Sequence, residues 1–279
     1  MTPDVQLLLV LASGLILGSF ANVAIHRLPR MIELAWRNEL RQFEREQQGL
    51  DPLPDSELEQ LSLSRPRSHC PQCKTTLPPH HLVPVLSWLL LRGRCGHCQA
   101  RIPVRYPVVE MLSALLAWGS WHSLGWTAEA AAAFLFLETL LVATLIDWDS
   151  QWLPDLVTLP LMWAGILLAS LGWSPVALSL DLAVWGAVGG YLFLWIMAAL
   201  FKLFTGKDGL GGGDTKLLAA LGAWLGPMVL PAILLLSSLL GLLMAFWLRW
   251  RRKQQGTFPF GPALSLAGVV YFAQALLAG

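Results

Sequence analysis

The sequence predicts an all-α polytopic membrane protein of about eight transmembrane helices, with a small cytoplasmic insert after the first helix. Hydrophobic residues make up 55% of the 279 residues, charged residues only 13%, and the mean hydropathy is +0.56. Ordinary soluble domains contain about 25% charged residues. The apolar residues occur in blocks close to the roughly 20 residues that a helix needs to cross a bilayer. The low share of charged residues and the apolar blocks exclude an ordinary soluble domain. The distribution of the basic residues, described below, agrees with this.

Eight apolar blocks are predicted as spans. The sixth and seventh are separated only by Gly226-Pro227, so their bounds stay open. In chain order the predicted spans are residues 5–25, 104–122, 128–146, 156–171, 178–203, 215–225, 227–248 and 262–277.

The basic residues orient these helices. Twelve of the 19 Lys and Arg residues lie between Arg27 and Arg105, and an eight-span arrangement places the other seven on the same side. Basic residues mark the cytoplasmic face. We therefore expect a periplasmic N-terminus, a first transmembrane helix within residues 1–26 and a cytoplasmic insert at residues 27–106. A seven-span arrangement would place some basic residues on the wrong side.

The insert has two parts. Residues 31–63 are rich in Glu, Arg and Gln, and the stretch 33–48 is predicted to be a helix with a solvated face. The second part contains all four cysteines in two Cys-x-x-Cys pairs. The cysteines are Cys70, Cys73, Cys95 and Cys98.

Four thiolates in two such pairs suit a tetrahedral structural zinc ion, although the 21 residues between the pairs slightly exceed the commonest spacing. Disulfides are the first alternative, and the reducing cytoplasm argues against them. A redox-active site usually needs only one Cys-x-x-Cys pair. Zinc would fold a small insert that lacks a core of its own.

Two carboxylates stand at ends of apolar blocks on the predicted cytoplasmic side. Asp147 ends the third block, and Asp214 follows Gly211-Gly212-Gly213 at the start of the sixth. Ionisable groups at a membrane boundary are costly and usually functional, and two of them brought together can activate water. We expect the glycines to break the helix where water enters. A flexible loop with Asp214 as the N-cap of the helix is the alternative.

Three further acidic residues have other interpretations. Asp149 lies two residues after Asp147 and would not share a helix face with it. Asp155 follows Pro154 and is predicted to be in the first turn of a helix. Glu110, near the cytoplasmic end of the second span, is predicted to form an ion pair with an arginine. The alternative is that Glu110 contributes to a functional site separate from Asp147 and Asp214.

Together these motifs resemble the family of type IV prepilin leader peptidases and N-methyltransferases, which belongs with the membrane aspartic proteases that carry a Gly-x-Gly-Asp motif. The resemblance implies that Asp147 and Asp214 are the catalytic pair and that residues 107–279 form a seven-helix protease domain. We choose Asp147 because it stands six residues before Leu153-Pro154, as the family's acidic residue does. Asp149 stays the alternative. The matching segments are Gly18-Ser19-Phe20-Ala21-Asn22-Val23, His26-Arg27-Leu28-Pro29, the two cysteine pairs, Arg105-Tyr106-Pro107-Val108-Val109-Glu110, residues 147–155 and Gly211-Gly212-Gly213-Asp214-Thr215-Lys216.

The resemblance further implies an enzyme of the bacterial inner membrane that removes the basic leader from type IV prepilins and pseudopilins on the cytoplasmic side. It also implies N-methylation of the new N-terminal residue with S-adenosyl-L-methionine as the methyl donor. The zinc ion would be structural, and no nucleic acid is expected as a partner. The resemblance does not locate the methyl-donor site beyond the insert and its flanks.

Two other functions are compatible with parts of the sequence. A membrane transferase acting on a lipid-linked phosphate would use Asp147, Asp149 and Asp155 to hold Mg²⁺, but it leaves the cysteines and the glycines unexplained. A non-enzymatic assembly scaffold would use the zinc insert as a docking surface. The scaffold predicts that replacing either Asp147 or Asp214 by asparagine has no effect.

Overall fold

The protein is all-helical in the computed structural model, which describes residues 2–54, 58–207, 209, 211–252 and 258–278. No β-strand occurs within these residues, which confirms the predicted fold class. Two short 3₁₀ turns, Pro79–Leu82 and Pro227–Val229, accompany the α-helices. The helices are α1 (Pro3–Gln47), α2 (Leu86–Leu90), α3 (Arg105–Leu124), α4 (Ala128–Ser150), α5 (Asp155–Ser170), α6 (Leu180–Thr205), α7 (Gly212–Leu225), α8 (Leu230–Arg252) and α9 (Gly261–Ala278).

Among the residues that the structure describes, four segments are long and apolar enough to cross a membrane, which supports the prediction of a membrane protein. They lie in α1, α4, α6 and residues Pro227–Trp250. Helices α5 and α9 are apolar but shorter. The count of eight spans therefore stays a prediction.

The chain forms two compact units. One contains residues 8–115, and the other contains residues 1–7 together with residues 116–279. The predicted division at residues 26/27 and 106/107 stays a prediction.

Helix α1 joins what the sequence suggests as two separate helices. It runs for 45 residues from the apolar first block into the charged insert, with Pro29 inside it. A proline inside a helix removes one backbone hydrogen bond and costs about 3 kcal/mol. Side-chain hydrogen bonds before and after Pro29 compensate for this cost, because they hold the charged half of α1 in place.

These hydrogen bonds come from a segment that returns along α1. Arg27 donates to the carbonyl oxygens of Ser62 (2.8 Å), Leu63 (3.2 Å) and Pro66 (2.7 Å). Gln42 donates to the carbonyl of Leu53 at 3.0 Å and accepts from its amide at 2.9 Å. The polar face of α1 is therefore partly used for binding the return segment, whereas the sequence suggests a merely solvated face.

Helix α7 is the centre of the larger unit. Every residue from 217 to 225 is buried, because α5, α6 and α9 all pack against α7. The Trp224 indole donates to the carbonyl of Leu161 in α5 at 2.8 Å, and its ring lies 4.8 Å from that of Phe136 in α4. A helix of 14 residues is about 21 Å long. Helix α7 is therefore shorter than the hydrocarbon core of about 30 Å, and its N-terminus is held by neighbouring helices.

Small residues allow α6 and α7 to cross with their backbones almost in contact. A Cβ atom on Gly186 would lie 2.0 Å from the carbonyl oxygen of Gly222, and one on Gly190 would lie 2.6 Å from that of Leu218. Glycines at helix crossings are typical of membrane helix pairs. This contact holds α7 closely against α6.

Candidate active site and metal centre

Asp147 lies near the end of α4 and points at the start of α9. Its side chain is 4% exposed, and its Oδ2 accepts a hydrogen bond of 2.9 Å from the amide of Gly261, the first residue of α9. The first amides of a helix have no partner within the helix and favour a negative charge. This explains how a buried carboxylate is accommodated here. Helix α4 then ends at Ser150, and its C-cap Gln151 has the left-handed conformation that often closes helices.

Gly261 permits this approach because it has no side chain. A Cβ atom there would lie 2.7 Å from Asp147 Oδ2 and 3.0 Å from Leu153 Cδ1. Gly261 is not among the site residues predicted from the sequence. The available signal was a glycine between Phe260 and Pro262 at the start of an apolar block, which marks a helix start.

Asp214 lies in the first turn of α7 and not in a helix break. Gly211 is the N-cap, with an extended conformation (φ −72°, ψ 138°), and Gly212 and Gly213 are already helical. The prediction that all three glycines interrupt the helix is therefore wrong, as is the alternative of Asp214 as the N-cap. Gly213 instead provides close contact, since a Cβ atom on it would lie 2.6 Å from the Cβ of Leu153.

The segments that carry the two carboxylates meet at Leu153. A Cβ atom on Gly213, next to Asp214, would lie 2.6 Å from the Leu153 Cβ. One on Gly261, whose amide binds Asp147, would lie 3.0 Å from the Leu153 Cδ1. The N-terminal ends of α7 and α9 both meet this place, and helix N-termini stabilise negative charge. Two carboxylates with little solvent around them do not both ionise easily, so such a pair can share a proton and activate a water molecule.

Two neighbouring acidic residues lie outside this pair. Asp149 is exposed, in contrast to the buried Asp147. Asp155 begins α5, as predicted, and its carboxylate binds the Lys216 ammonium at 2.6 and 2.7 Å. Lys216, two residues after Asp214, is thus bound to Asp155. The pair is partly exposed, and such pairs contribute no more than about 1 kcal/mol.

The four cysteines form a second site. Their sulfur atoms all lie within 4.8 Å of one another, none is in a disulfide, and Cys70 Sγ is 3.7 Å from Cys98 Sγ. A tetrahedral zinc ion with bonds of about 2.3 Å separates its sulfur ligands by roughly 3.8 Å. The cluster therefore fits a metal ion in a closed thiolate shell.

Each cysteine pair is shaped by the same local fold. The amide of Lys74 donates to the carbonyl of Cys70 at 2.9 Å, and the amide of Gln99 donates to that of Cys95 at 3.0 Å. Lys74 and Gln99 both have φ of 59°. The left-handed residue after each pair turns the chain back, so that both sulfurs of the pair point to the same place.

The electrostatics of the cysteines suit thiolate ligands. Hydrogen bonds from the Thr75 side chain and amide lower the pKa of Cys73 to about 6. The amides of Cys98 and His97 lower the pKa of Cys95. The Ala100 amide lowers the pKa of Cys98, but partial desolvation and the other three sulfurs outweigh it and raise that pKa to about 11. Four neighbouring thiolates repel one another, and a bound cation removes that repulsion.

Comparison with known proteins identifies the family to which both sites belong. Residues 12–124 match the bacterial peptidase A24 N-terminal domain, and residues 134–246 match the type IV leader peptidase family. A prepilin leader peptidase/N-methyltransferase of Pseudomonas aeruginosa is 47% identical over 258 residues, which is 91% of this chain and 86% of that protein. This chain belongs to the type IV leader peptidase family.

Other members are equally similar. Proteins with the same name from Aeromonas hydrophila and Neisseria gonorrhoeae are 48% and 42% identical, over 93% of this chain and 88% and 87% of theirs. No solved structure matches the chain. Both aspartates fall in the segment matched by the type IV leader peptidase family, and the four cysteines fall in the N-terminal segment. Gly261 lies beyond both matched segments, although it contacts Asp147.

Proposed function

We propose that this protein is a prepilin leader peptidase and N-methyltransferase, and that Asp147 and Asp214 are the catalytic pair of the peptidase. The observation that carries the proposal is that the ends of α4 and α7, which hold these carboxylates, meet at Leu153, within the segment that matches the type IV leader peptidase family. The relatives named above are prepilin leader peptidases and N-methyltransferases. The substrates are accordingly type IV prepilins and pseudopilins with a basic leader.

The environment of each aspartate suggests its role. Asp147 accepts the Gly261 amide, and hydrogen bonds of this kind favour a charged carboxylate. We assign Asp147 as the ionised base that takes a proton from water. Asp214 then holds the shared proton and gives it to the carbonyl oxygen or the leaving amine of the scissile bond. The titration belongs to the pair and not to either residue.

The site also suggests why Asp147, and not Asp149, is the first catalytic residue. A catalytic carboxylate needs a place with little water, where its charge and proton are controlled by fixed neighbours. Asp147 is buried and held by an amide, whereas Asp149 is exposed. We therefore retain Asp147.

The membrane arrangement follows from the basic residues. Cleavage takes place at the cytoplasmic side of the bacterial inner membrane, with the N-terminus in the periplasm and the cysteine insert in the cytoplasm. The peptidase site is built from helix ends in the larger unit, and helix ends are where an apolar substrate helix can expose its cleavage site to water.

The second activity would methylate the new N-terminal amine. The methyl donor implied by the family, S-adenosyl-L-methionine, supplies an activated methyl group when it is bound. We place this activity in the unit of residues 8–115, because both peptidase aspartates lie in the other unit. That smaller unit contains His26, Tyr106 and Glu110 in hydrogen-bonded contacts, which suit a reaction that must remove a proton from an amine.

The metal of the cysteine cluster would be zinc with a structural role. Four sulfur ligands leave no open position, whereas catalytic zinc sites keep one for water or substrate. The segment around the cysteines has few buried apolar residues besides the cysteines themselves, so metal binding would supply its folding free energy.

The geometry does not favour the Mg²⁺-dependent transferase. Asp147 is bonded to Gly261, Asp149 is exposed and Asp155 is bonded to Lys216, so the three carboxylates do not converge. Among the residues that the structure describes, the group of metal ligands that does converge is the cysteine cluster. Relatives named as enzymes likewise argue against a scaffold.

The test replaces each carboxylate by its neutral isostere. Asp147→Asn and Asp214→Asn should each lower the cleavage rate of a prepilin by about 10²-fold to 10⁴-fold, the range for general acid–base groups. The measurement is the size shift of a prepilin incubated with purified full-length protein in detergent. Asp149→Asn is the matched control, because Asp149 lies two residues from Asp147 but is exposed. Normal cleavage by both Asp147→Asn and Asp214→Asn would refute the proposed peptidase site.

A further inference from the structure

Polar side chains of α1 and α3 meet in two antiparallel rows within the unit of residues 8–115. On α1 the row follows one helix face with spacing i, i+3, i+7, and on α3 the spacing is i, i+4. We call this group the polar seam. Its members are Ser19, Asn22, His26, Tyr106 and Glu110.

The hydrogen bonds of the seam pair the two helices residue by residue. Asn22 Nδ2 donates to the Tyr106 carbonyl at 3.1 Å, the Tyr106 hydroxyl lies 3.0 Å from His26 Nε2, and Ser19 bonds to Glu110. The seam thus unites the motif from Gly18 to His26 with the motif from Arg105 to Glu110, through hydrogen bonds between residues 80 and 84 positions apart.

Helix packing alone does not require this set of residues. Small residues with one hydroxyl suffice for membrane helix contacts, and the same helix pair has such a contact where Ser113 donates to the Gly14 carbonyl at 2.7 Å. His26 and Tyr106 are both half-buried, so one side of each remains accessible. Their rings are tilted by 31°, with centroids 5.5 Å apart.

A strained turn is fixed against the other end of the seam. The amide of Val85 donates a hydrogen bond of 2.7 Å to Glu110 Oε2. The sequence predicts an arginine as the partner of Glu110. Val85 has φ 58° and ψ −50°, and the Leu86 amide donates to the Pro84 carbonyl around it. A β-branched residue at positive φ is strained, and such strain persists only where surrounding contacts hold it, often at functional sites.

Methylation of an N-terminal amine needs a group that removes a proton. An α-amino group has a pKa of about 7.7–8.0, so at neutral pH it is mostly an ammonium ion without a free lone pair. The peptidase carboxylates are occupied with water activation and lie in the other unit. In the smaller unit, the hydrogen-bonded pair of Tyr106 and His26 has the required chemistry.

We propose that Tyr106 and His26 form the proton acceptor for N-methylation, with the free N-terminal ammonium of a cleaved pilin as the ligand of the seam. This inference rests on the proposed function, since it assumes that the protein methylates that amine.

In this step the ammonium gives its proton to Tyr106 Oη while the Tyr106 hydroxyl proton passes to His26 Nε2. His26 becomes an imidazolium ion, and the amine gains a lone pair. The bound sulfonium donor supplies a methyl group, whose bond to sulfur breaks, with the electron pair kept by sulfur, as the amine lone pair forms the new N–C bond. His26 later returns its proton to solvent through Tyr106.

The experiment uses pilin that already lacks its leader, so that methylation does not depend on cleavage. Purified full-length protein in detergent is mixed with this pilin and S-adenosylmethionine, and the methylated N-terminus is measured by mass spectrometry. Tyr106→Phe and His26→Ala should each lower the methylation rate by about 10²-fold or more, as expected for a general base. Both variants should cleave full-length prepilin at the normal rate, and added imidazole should partly restore His26→Ala.

A second measurement needs no methyl donor. A labelled pilin peptide with a free N-terminal amine should bind the unaltered protein more tightly than the same peptide with an acetylated N-terminus. Tyr106→Phe should reduce this preference about tenfold, the effect of losing one hydrogen bond to a charged group. Ser113→Ala is the matched control, because it removes a hydrogen bond between the same two helices without removing a proton acceptor.

The outcomes separate this inference from the proposed function. If Tyr106→Phe and His26→Ala methylate cleaved pilin at rates within twofold of that of the unaltered protein, the polar seam is not the methylation site. A loss in Ser113→Ala as large as in Tyr106→Phe, or an equal loss of cleavage and methylation, would show that the seam only packs helices and would overturn it too. If the unaltered protein cleaves prepilin but never methylates cleaved pilin, the proposed methyltransferase activity fails together with this site.

Discussion

Single glycines set the distance between the parts of the proposed peptidase site. Gly261 lets its amide reach Asp147, and Gly213 lets the first turn of α7 contact Leu153. In both cases a Cβ atom would lie less than 3.0 Å from the atom that it meets. Gly212 differs from its neighbour, because a Cβ atom there has open space around it.

We predict that Gly261→Ala and Gly213→Ala lower prepilin cleavage by roughly 10²-fold, the effect of a misplacement of about 1 Å at a catalytic group, if the two aspartates have the proposed role. Gly212→Ala should cleave normally. The three purified variants are compared by their cleavage rates, with thermal unfolding as a check on folding. Equal cleavage rates in all three would mean that these close contacts do not position the aspartates.

At the scale of helices, the crossing of α6 and α7 determines how the catalytic helix is held. The carbonyl oxygen of Gly222 approaches Gly186 so closely that a Cβ atom on Gly186 would lie 2.0 Å from it. Gly189 lies on a different face of α6, where the nearest atom to a Cβ would be 4.0 Å away. The same substitution at these two positions therefore tests the crossing.

We predict that Gly186→Ala destabilises the protein by about 1–3 kcal/mol, the usual cost of overpacking, because the two helices must separate. Gly189→Ala should be neutral or slightly stabilising, since alanine favours a helix over glycine by up to about 1 kcal/mol. Thermal unfolding in one detergent, at one protein concentration, compares the two variants. A lower unfolding temperature for Gly189→Ala than for Gly186→Ala would contradict the described crossing.

At the scale of the whole molecule, the chain combines two units with different sources of stability. The larger unit has a buried helical core around α7. In the smaller unit, the segment that contains the cysteines has two isolated β-bridges and short helical turns. Metal binding would replace a hydrophobic core in that segment.

We predict that Cys73→Ser lowers the bound zinc per chain and makes the cysteine segment sensitive to protease. Zinc content is measured on the purified protein by elemental analysis, and protease cleavage sites are located by mass spectrometry. Asp147→Asn should keep both its zinc and its protease resistance, because Asp147 and the cysteines lie in different units. Full zinc content in Cys73→Ser would exclude the cysteines as its ligands.

Sequence patterns determined the helical class and the chemistry of both sites. Apolar blocks specify helices because backbone groups inside a bilayer must be bonded within their own segment. The spacing of the four cysteines indicated a metal site because two adjacent ligands in each pair need only a local turn, such as those at Lys74 and Gln99. The structure has that cluster.

Other features depended on contacts between distant segments. The sequence suggested that Gly212 and Gly213 break the helix, since each glycine disfavours a helix relative to alanine. Packing of α7 against α5, α6 and α9 overrides that preference, so both glycines are helical. The joining of two predicted helices through Pro29 has a similar cause, because hydrogen bonds from the return segment hold α1 on either side of it.

The sequence by itself indicated the residue types proposed for hydrolysis and those of the metal-binding cluster, and it placed the two aspartates at helix ends. Only the tertiary structure decided that the amide of Gly261 holds Asp147, that Lys216 binds Asp155 and that Tyr106 bonds to His26. The physical reason is range: propensity and periodicity act between near neighbours in the chain, whereas each of these contacts joins residues at least 61 positions apart. Such contacts form only when whole helices pack.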